Sequence, residues 1–266
     1  MNRDGTAWVT GASSGIGEAF TRCLAARGHD LVLVARRGER LAALAAELRE
    51  RHAVSVETLV ADLAAPADIE RIEKRIGADD RLELLINNAG FGTTGHFVDN
   101  PVARHVEMVT VHVVAPVRLC HAALVGMIAR GRGAVVNVAS ISAFLPFANN
   151  VTYAATKRYL VTFTEALHHE LKGTGVRVQA LCPGFTYTEF HDTEEFASFD
   201  RGTVPGPFWM SAEKVAAASL DALRRDRPVF IPGFRNRMLV FLFRSKLTAL
   251  LPVRRIRDRV LRKSRP

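Results

Sequence analysis

The chain has 266 residues, 48% of them hydrophobic, so it is long enough to bury a large core within one domain. Cys23, Cys120 and Cys182 are widely spaced and form no CxxC pair, which excludes a disulfide framework and a cysteine-based zinc site. The formal net charge of +9 is concentrated in residues 235–266, which carry eleven Lys or Arg and one acid. Because the rest of the chain is near neutral, nucleic acid is not an expected partner.

Short apolar runs alternate with longer segments of helical periodicity, which is typical of a parallel sheet flanked by helices. The predicted strands are residues 6–10, 30–35, 54–60, 82–86, 133–139, 176–182 and 228–231. The predicted helices are residues 15–27, 40–51, 66–76, 101–130, 151–172 and 211–225. The sequence therefore predicts an α/β fold, a Rossmann-type doubly wound sheet of seven parallel strands with helices on both faces. Residues 189–210 are an irregular stretch, expected to act as a lid.

The first strand runs into a glycine-rich turn that opens a helix. The turn reads Gly11-Ala-Ser-Ser-Gly15-Ile-Gly17. Glycine lets the backbone approach a pyrophosphate, whose charge the helix N-terminus stabilises. The same glycines could serve turn geometry alone, but their place at the start of a βαβ unit favours a dinucleotide. The residues expected to cradle it are Gly11, Ser13, Ser14, Gly15, Ile16 and Gly17.

Two arginines follow the second strand, where a dinucleotide fold places the group that reads the adenosine ribose. An acid there would favour a free 2′-hydroxyl. Arg36 and Arg37 instead suit a 2′-phosphate, because the planar guanidinium binds phosphate in a bidentate way. The alternative is that the two arginines are an exposed pair at the end of a strand, without a role in cofactor binding. The position in the βαβ unit predicts NADP rather than NAD as the cofactor.

Tyr153 and Lys157 are four residues apart in a predicted helix, so their side chains share one face. A free tyrosine titrates near 10 and is a weak base at neutral pH. A neighbouring ammonium favours the phenolate, and we expect it to lower the pKa of the phenol by roughly three units. A surface pair is the common alternative for this spacing. In the company of the glycine turn, the pair predicts general acid/base chemistry.

Taken together, these motifs resemble the short-chain dehydrogenase/reductase family in order and spacing, from about residue 6 to residue 231. The matching pieces are Thr10-Gly-Ala-Ser-Ser-Gly-Ile-Gly17, Asp62, Asn87-Asn-Ala-Gly90, Ser140, Tyr153-x-x-x-Lys157 and Pro183-Gly184. Each piece is weak alone, but the combination is specific. The resemblance implies a hydride transfer between NADP(H) and a carbonyl or alcohol, with Tyr153 as the proton donor or acceptor.

The resemblance also implies a role for each matching residue. Asp62 would bond the adenine amino group, and residues 88–90 would line the adenosine and ribose. Ser140 would hydrogen-bond the substrate oxygen, and Lys157 would hold the nicotinamide ribose. Thr186 and Thr188 would hold the carboxamide. The full set of cofactor residues implied beyond the glycine turn and the arginines is Asp62, Leu63, Asn88, Ala89, Gly90, Val111, Tyr153, Lys157, Pro183, Gly184, Thr186 and Thr188.

One residue departs from the family pattern. A helix asparagine usually follows the Asn-Asn-Ala-Gly element and anchors a water in the proton relay, but here His112 occupies that place. His112 either holds the water or relays the proton itself, since imidazole both donates and accepts, or it is a packed helix residue. We include it among the catalytic residues. It also keeps open a rival function, an NADP-binding sensor or scaffold with little turnover.

The substrate side is rich in aromatic residues. Phe144, Phe185 and Tyr187 are expected to line the pocket, together with Leu145, Phe147 and Phe190. They favour a small hydrophobic substrate, such as a lipid ketone or an aromatic carbonyl. The alternative is that these rings are ordinary core. No motif of metal ligands appears, so no metal is expected.

The chain is divided by prediction into a catalytic domain, residues 1–233, and a basic amphipathic helical extension, residues 234–266. Within the extension, Val253, Ile256, Val260 and Leu261 fall on one helical face among arginines. That pattern favours a helix lying on an anionic membrane surface. The alternatives are a helix packed on the body or across a homo-oligomer, and a solvated charge run. No leader peptide is visible, so we expect a cytoplasmic protein with peripheral membrane association.

Overall fold

Nine strands are present in the computed structural model, which describes residues 5–145, 148–196 and 199–244. In chain order they are β1 Thr6–Thr10, β2 Asp30–Ala35, β3 Val56–Val60, β4 Leu82–Asn87, β5 Gly133–Val138, β6 Val176–Leu181, β7 Thr186–Tyr187, β8 Met210–Ser211 and β9 Val229–Phe230. Seven of them form a parallel sheet in the order β3-β2-β1-β4-β5-β6-β9. The predicted doubly wound sheet of seven parallel strands is therefore confirmed. The strand bounds agree with the predicted ones to within two residues.

The direction of winding reverses between β1 and β4, which are neighbours in the sheet. In open α/β sheets, ligands bind at such a switch point, outside the carboxyl ends of the strands. The glycine turn follows β1, and the Asn-Asn-Ala-Gly motif follows β4. The topology thus brings the two motifs to one edge of the sheet.

Helices cover both faces of the sheet. They are α1 Gly15–Ala25, α2 Gly38–His52, α3 Pro66–Gly77, α4 Val102–Val109, α5 Ala115–Ala129, α6 Val151–Glu170, α7 Ala212–Ala222 and α8 Phe234–Arg244. On one face α1, α2 and α7 bury side chains such as Phe20 and Leu220. On the other face α3, α5 and α6 do so, with Ile72 and Met127 fully buried. Burial of each large apolar side chain stabilises the fold by about 1.5–3 kcal/mol.

The predicted helix of residues 101–130 is not α-helical throughout. A single π-helical turn, Thr110–Val114, separates α4 from α5, and the Ala115 N–H donates to the carbonyl of Thr110. Pro116 accounts for the break, because it has no N–H to donate to the carbonyl of His112, four residues before it. The predicted helix of residues 101–130 is confirmed as one helical run, Val102–Ala129, with this π-helical turn inside it. His112 lies within it, and such turns often occur at functional sites.

The stretch Val102–Ala129 is long and apolar enough to cross a membrane by length and composition. An 18-residue window within it has a mean hydropathy of 1.7. Half of that window is buried inside the protein. In α5, Leu119, Cys120 and Met127 pack into the core beneath the sheet. Packing against the sheet accounts for the apolar character of the buried half.

The irregular stretch predicted for residues 189–210 is confirmed in its described part. It contains short 3₁₀ turns, among them Glu189–His191 and Glu194–Phe196. Its two ends are joined, because β7 and β8 pair as a parallel two-stranded ribbon. We call the described residues 188–196 and 199–209 the covering loop.

Candidate active site

The turn between β1 and α1 has the backbone shape that a dinucleotide cradle requires. Gly11 and Gly15 have φ angles of +65° and +57°, in the left-handed region that favours glycine. A Cβ on Gly17 would lie 2.2 Å from the Gly11 carbonyl oxygen. The turn opens directly into the N-terminus of α1, whose first N–H groups and positive dipole end suit an anion. The cradle therefore fits a cofactor pyrophosphate.

A buried threonine fixes this turn to the Asn-Asn-Ala-Gly motif. The Thr10 hydroxyl accepts hydrogen bonds from the N–H groups of Asn88 and Ala89, at 2.9 and 3.1 Å. Asn88 Nδ2 donates to the carbonyl oxygens of Thr10 and Gly11, at 3.0 and 3.2 Å. Asn88 and Ala89 thus shape the cradle as well as bordering it. Thr10 opened the matched glycine motif but had no role assigned, since only the folded sheet brings it to Asn88.

Of the two predicted arginines, Arg37 is the one that the structure attaches to the glycine turn. Its Nε donates to Ser13 Oγ at 3.2 Å. Its Nη1 lies 2.9 Å from a carboxylate oxygen of Glu189 in the covering loop, and Arg40 reaches the other oxygen at 2.6 Å. Arg36 is exposed, with no side-chain bond in the described part of the chain. Arg40 and Glu189 escaped prediction because 149 residues separate them along the chain.

Asp62 follows β3 and shapes the loop before α3. Its N–H donates to Asp68 Oδ2 at 2.8 Å, and its Oδ1 accepts the Ala64 N–H at 3.0 Å. Leu63 is buried beside it and packs with Ile69. The loop is therefore ordered by its own side chains. The adenine contact of Asp62 stays a prediction.

The proposed catalytic side chains of α6 and of the end of β5 come together. Lys157 is buried, and its Nζ donates to the carbonyl of Val138 at 2.9 Å. The same Nζ lies 5.5 Å from the centroid of the Tyr153 ring. Ser140 follows β5, hydrogen-bonds Tyr153, and accepts the Ser142 N–H at 3.1 Å. The structure thus assembles Ser140, Tyr153 and Lys157 into one group.

Desolvation controls the protonation of this group. Burial raises the pKa of Tyr153 to about 12, although the hydrogen bond from Ser140 opposes the rise. Burial lowers the pKa of Lys157 to about 8. Our expectation that the lysine lowers the pKa of the phenol was wrong for the protein alone, because desolvation is the largest influence on the phenol and the influence that opposes it is the hydrogen bond from Ser140. At neutral pH, the phenol therefore holds its proton.

His112 is buried in the π-helical turn, with both ring nitrogens engaged. The Phe91 N–H donates to Nε2 at 3.1 Å, so we assign the ring proton to Nδ1. Nδ1 lies 3.0 Å from the Thr156 hydroxyl, which donates to the Tyr153 carbonyl at 2.9 Å. A Cβ on Gly90 would lie 2.7 Å from Nε2, so only glycine admits the imidazole there.

The surroundings of His112 keep it neutral. Burial lowers its pKa well below the ordinary value, and the charge of Lys157 lowers it further. Its two bonds connect the loop after β4 with the helix that carries Tyr153. The geometry accordingly matches a packed, hydrogen-bonded histidine more closely than a residue that exchanges protons with solvent. Thr156 escaped prediction because no local motif marks it.

The residues after β6 border the cradle from the other side. The Thr186 hydroxyl donates to the Gly184 carbonyl at 3.0 Å. A Cβ on Gly15 would lie 3.1 Å from the Thr188 side chain, so the start of the covering loop rests on the cradle. Pro183 accepts the N–H of Ile141 through its carbonyl, next to Ser140. Val111 is buried in the π-helical turn. The carboxamide contacts of Thr186 and Thr188 stay predictions.

The aromatic residues predicted to bind substrate do not all reach Tyr153. Phe144 packs with Ile231 and Leu145, and Phe185 packs on Trp209 with ring centroids 5.3 Å apart. Tyr187 stacks on Trp209 at 4.8 Å and is half exposed. The ring that covers Tyr153 is Phe190, at 5.9 Å between centroids. Phe190, which the sequence placed in the wider aromatic set, is thus the one predicted aromatic residue, among those that the structure describes, whose ring contacts that of Tyr153. Phe147 lies outside the described residues.

A second ion pair attaches the covering loop at its far side. Arg104 in α4 pairs with Glu195 and also with Glu107 at 2.6 Å. The guanidinium carbon of Arg104 lies 3.8 Å from the centroid of the Phe91 ring. The loop is therefore held by Glu189 near the cofactor cradle and by Glu195 near α4.

The start of the predicted extension packs on the body. Asn236 and Val240 of α8 are buried, and Val240 joins an apolar cluster with Ile141 and Leu145. The Asn236 side chain fills the space where a Cβ on Gly184 would stand. The amphipathic residues 253–261 lie outside the described residues, so the domain boundary and membrane contact stay predictions. Within the described residues, no group of three or more His, Cys, Asp or Glu suits a metal.

A doubly wound sheet with a glycine cradle at its switch point, beside a Ser, Tyr and Lys group, defines a dinucleotide-dependent oxidoreductase. Residues 5–196 match the family model described as short chain dehydrogenase. The chain therefore belongs to the short-chain dehydrogenase/reductase family, whose oxidoreductases act on alcohol and carbonyl groups.

Solved structures of known proteins agree with this assignment. A short-chain dehydrogenase from Sphingobium yanoikuyae in complex with NADPH is 39% identical, with a TM-score of 0.81 over 86% of this chain and 88% of that one. The bulky-bulky ketone specific alcohol dehydrogenase from Comamonas testosteroni is 32% identical, with a TM-score of 0.78 over 94% and 96%. A family member from Burkholderia phymatum in complex with NAD is 25% identical, with a TM-score of 0.81 over 94% and 96%.

Proposed function

We propose that this protein is an NADPH-dependent reductase of apolar ketones, working in reverse as an alcohol dehydrogenase. The observation that carries the proposal is the grouping of Tyr153 with Ser140 and Lys157, whose Nζ lies 5.5 Å from the centroid of the Tyr153 ring. A phenol that keeps its proton at neutral pH is suited to donate it. Reduction of a carbonyl is the direction that needs such a donor.

The side chains divide the work of the reaction. NADPH, when bound, supplies the hydride that a carbonyl carbon accepts. The hydroxyl groups of Ser140 and Tyr153 donate hydrogen bonds to the substrate oxygen, where negative charge develops. Tyr153 then gives its proton to that oxygen. The buried ammonium of Lys157, beside the ring, stabilises the phenolate that remains.

The preference for NADP is supported by Arg37, which lies against the glycine turn through Ser13. Relatives with NADPH and with NAD are both known, so the guanidinium is the argument for this chain. An Arg37→Gln variant is expected to lose about tenfold in affinity for NADPH and less than twofold for NADH, because a charge-assisted phosphate contact is worth roughly 1.4 kcal/mol. Fluorescence titration of both cofactors measures this. An equal loss for both cofactors would assign Arg37 to the fold rather than to the phosphate.

The apolar character of the substrate is supported by Phe190 over Tyr153 and by the rings that continue from it, Phe196 at 5.1 Å and His191 at 5.2 Å between centroids. The test is NADPH oxidation against a series of ketones of increasing apolar bulk. We expect kcat/KM to rise along the series. Tight NADPH binding without turnover on any ketone would instead support the sensor function.

Further expectations stay predictions. Self-association is supported by exposed valines before and along α4, since Val98, Val102 and Val106 are 85, 75 and 60% exposed. Peripheral binding to an anionic membrane through residues 253–261 depends on a segment outside the described part of the chain. A cytoplasmic location and the lack of a nucleic-acid partner also stay predictions.

A further inference from the structure

We propose that the carboxylate of Glu189 occupies the anion site that reads the 2′-phosphate of NADP, so that the phosphate must displace it from Arg37 and Arg40. This inference rests on the proposed NADP dependence. It adds two residues, Arg40 and Glu189, to those that decide the affinity and selectivity for the cofactor.

The two guanidinium groups converge on one anion. Glu189 uses one oxygen for Arg37, at 2.9 Å, and the other for Arg40, at 2.6 Å. Both arginines hold the pKa of this carboxyl below its ordinary value, so it is charged at neutral pH. A phosphate group presents the same pair of acceptor oxygens to two guanidinium groups. The site that binds the carboxylate therefore has the chemistry to bind a phosphate.

The position of the pair is the one a cofactor phosphate needs. Arg37 is attached to the glycine turn by Ser13, through its hydroxyl at 3.2 Å and its carbonyl at 3.4 Å. Arg40 follows three residues later, in the first turn of α2, so the two side chains share one side of the helix start. The arginine pair thus lies at the border of the cradle, where the second strand ends.

A ligand can reach the two arginines and replace Glu189 as their partner. The side chains of Arg37, Glu189 and Arg40 are 43, 48 and 51% exposed. Ion pairs exposed to this degree contribute little stability, so a stronger anion can break them. A phosphate monoester carries a charge of about −1.5 to −2 at pH 7, against −1 for the carboxylate. A phosphate therefore binds the two arginines more strongly than Glu189 does, but it must displace the Glu189 carboxylate to do so.

The competition affects only ligands that carry the 2′-phosphate. A nucleotide with a free 2′-hydroxyl does not need the arginine pair, so the carboxylate neither blocks nor repels it. Glu189 is therefore expected to reduce the affinity for NADP while leaving that for NAD unchanged. In this way one acidic residue of the covering loop sets how strongly the two cofactors are distinguished.

The test uses 2′,5′-ADP and 5′-AMP as probes, which differ only in the 2′-phosphate, with binding measured by titration calorimetry. A Glu189→Gln variant keeps the size of the side chain and removes its charge. We expect it to bind 2′,5′-ADP about fivefold more tightly than the wild type does, a size consistent with the loss of two exposed ion pairs. The affinity for 5′-AMP should change less than twofold. An unchanged or weaker affinity for 2′,5′-ADP would overturn the proposal.

Matched variants separate the competitor from a general effect of the loop. Glu195→Gln removes a charge from the same loop that pairs with Arg104 instead, and it should not change the ratio of the two affinities. Arg40→Gln should selectively weaken the binding of 2′,5′-ADP. In a protein that carries Arg40→Gln, the further change Glu189→Gln should increase the affinity for 2′,5′-ADP by less than it does in the wild type. Thermal unfolding of each variant confirms that it is folded.

The same measurements distinguish a failure of the proposed NADP dependence from a failure of the proposed role of Glu189. If the wild type binds 5′-AMP as tightly as 2′,5′-ADP, the NADP preference is wrong. If it prefers 2′,5′-ADP but Glu189→Gln leaves that preference unchanged, the preference stands and the role of Glu189 is refuted.

Discussion

A Tyr153→Phe variant is expected to lose about a thousandfold in kcat for ketone reduction, because removal of a positioned general acid costs roughly 10²–10⁴ in rate. The ring remains, so its packing against Phe190 and His112 is kept. The phenolic hydroxyl of Tyr153 is the only part that is lost. We therefore expect the affinity for NADPH to change less than twofold.

Stopped-flow or steady-state NADPH oxidation gives kcat, and fluorescence titration gives the NADPH affinity. Ser140→Ala is the matched control, since it removes one hydrogen bond to the substrate oxygen but leaves the proton donor. It should lose less activity than Tyr153→Phe. If the phenylalanine variant kept kcat within tenfold of the wild type, the proton would come from another group, and the assignment of Tyr153 would fail.

Local motifs allowed much of this site to be predicted. Alternation of apolar runs and helices specifies the sheet, since each run must be buried between two helical layers. The conformations of Gly11 and Gly15, and the pairing of Tyr153 with Lys157 on one helix face, depend on residues close in sequence. Such features can be recognised before the fold is known. The resemblance to the family supplied Ser140, which no spacing rule connects to Tyr153.

Contacts between distant segments could not be predicted in this way. Thr10 meets Asn88 only because β1 and β4 are neighbours in the sheet. Glu189 meets Arg37 only after the covering loop returns over the cradle. The pKa of Tyr153 was misjudged for the same reason, since the sequence shows the neighbouring lysine but not the depth of burial. Desolvation is a property of the folded core, and here it outweighs the hydrogen bond from Ser140.

The geometry around His112 suggests a positioning role for it, in place of the proton relay first considered. Its Nε2 accepts from Phe91, and its Nδ1 bonds Thr156, so it connects the loop after β4 to the backbone of Tyr153. A neutral imidazole is needed for both bonds, since the protonated ring could not accept the Phe91 N–H. Burial and the charge of Lys157 lower the pKa of His112 and so favour the neutral ring.

We accordingly expect His112→Leu to lower kcat about a hundredfold, since misplacement of a catalytic group by about 1 Å has effects of that order. His112→Gln should recover most of the activity, because its amide both accepts and donates. The pH profile of kcat should keep its shape in both variants, whereas loss of a titrating relay would shift it. Thr156→Val breaks the same connection from the other side, so combining it with His112→Leu should add little further loss. Retention of kcat by His112→Leu would refute any role of His112 in the reaction. A lowered kcat with an altered pH profile would instead return His112 to the proton relay.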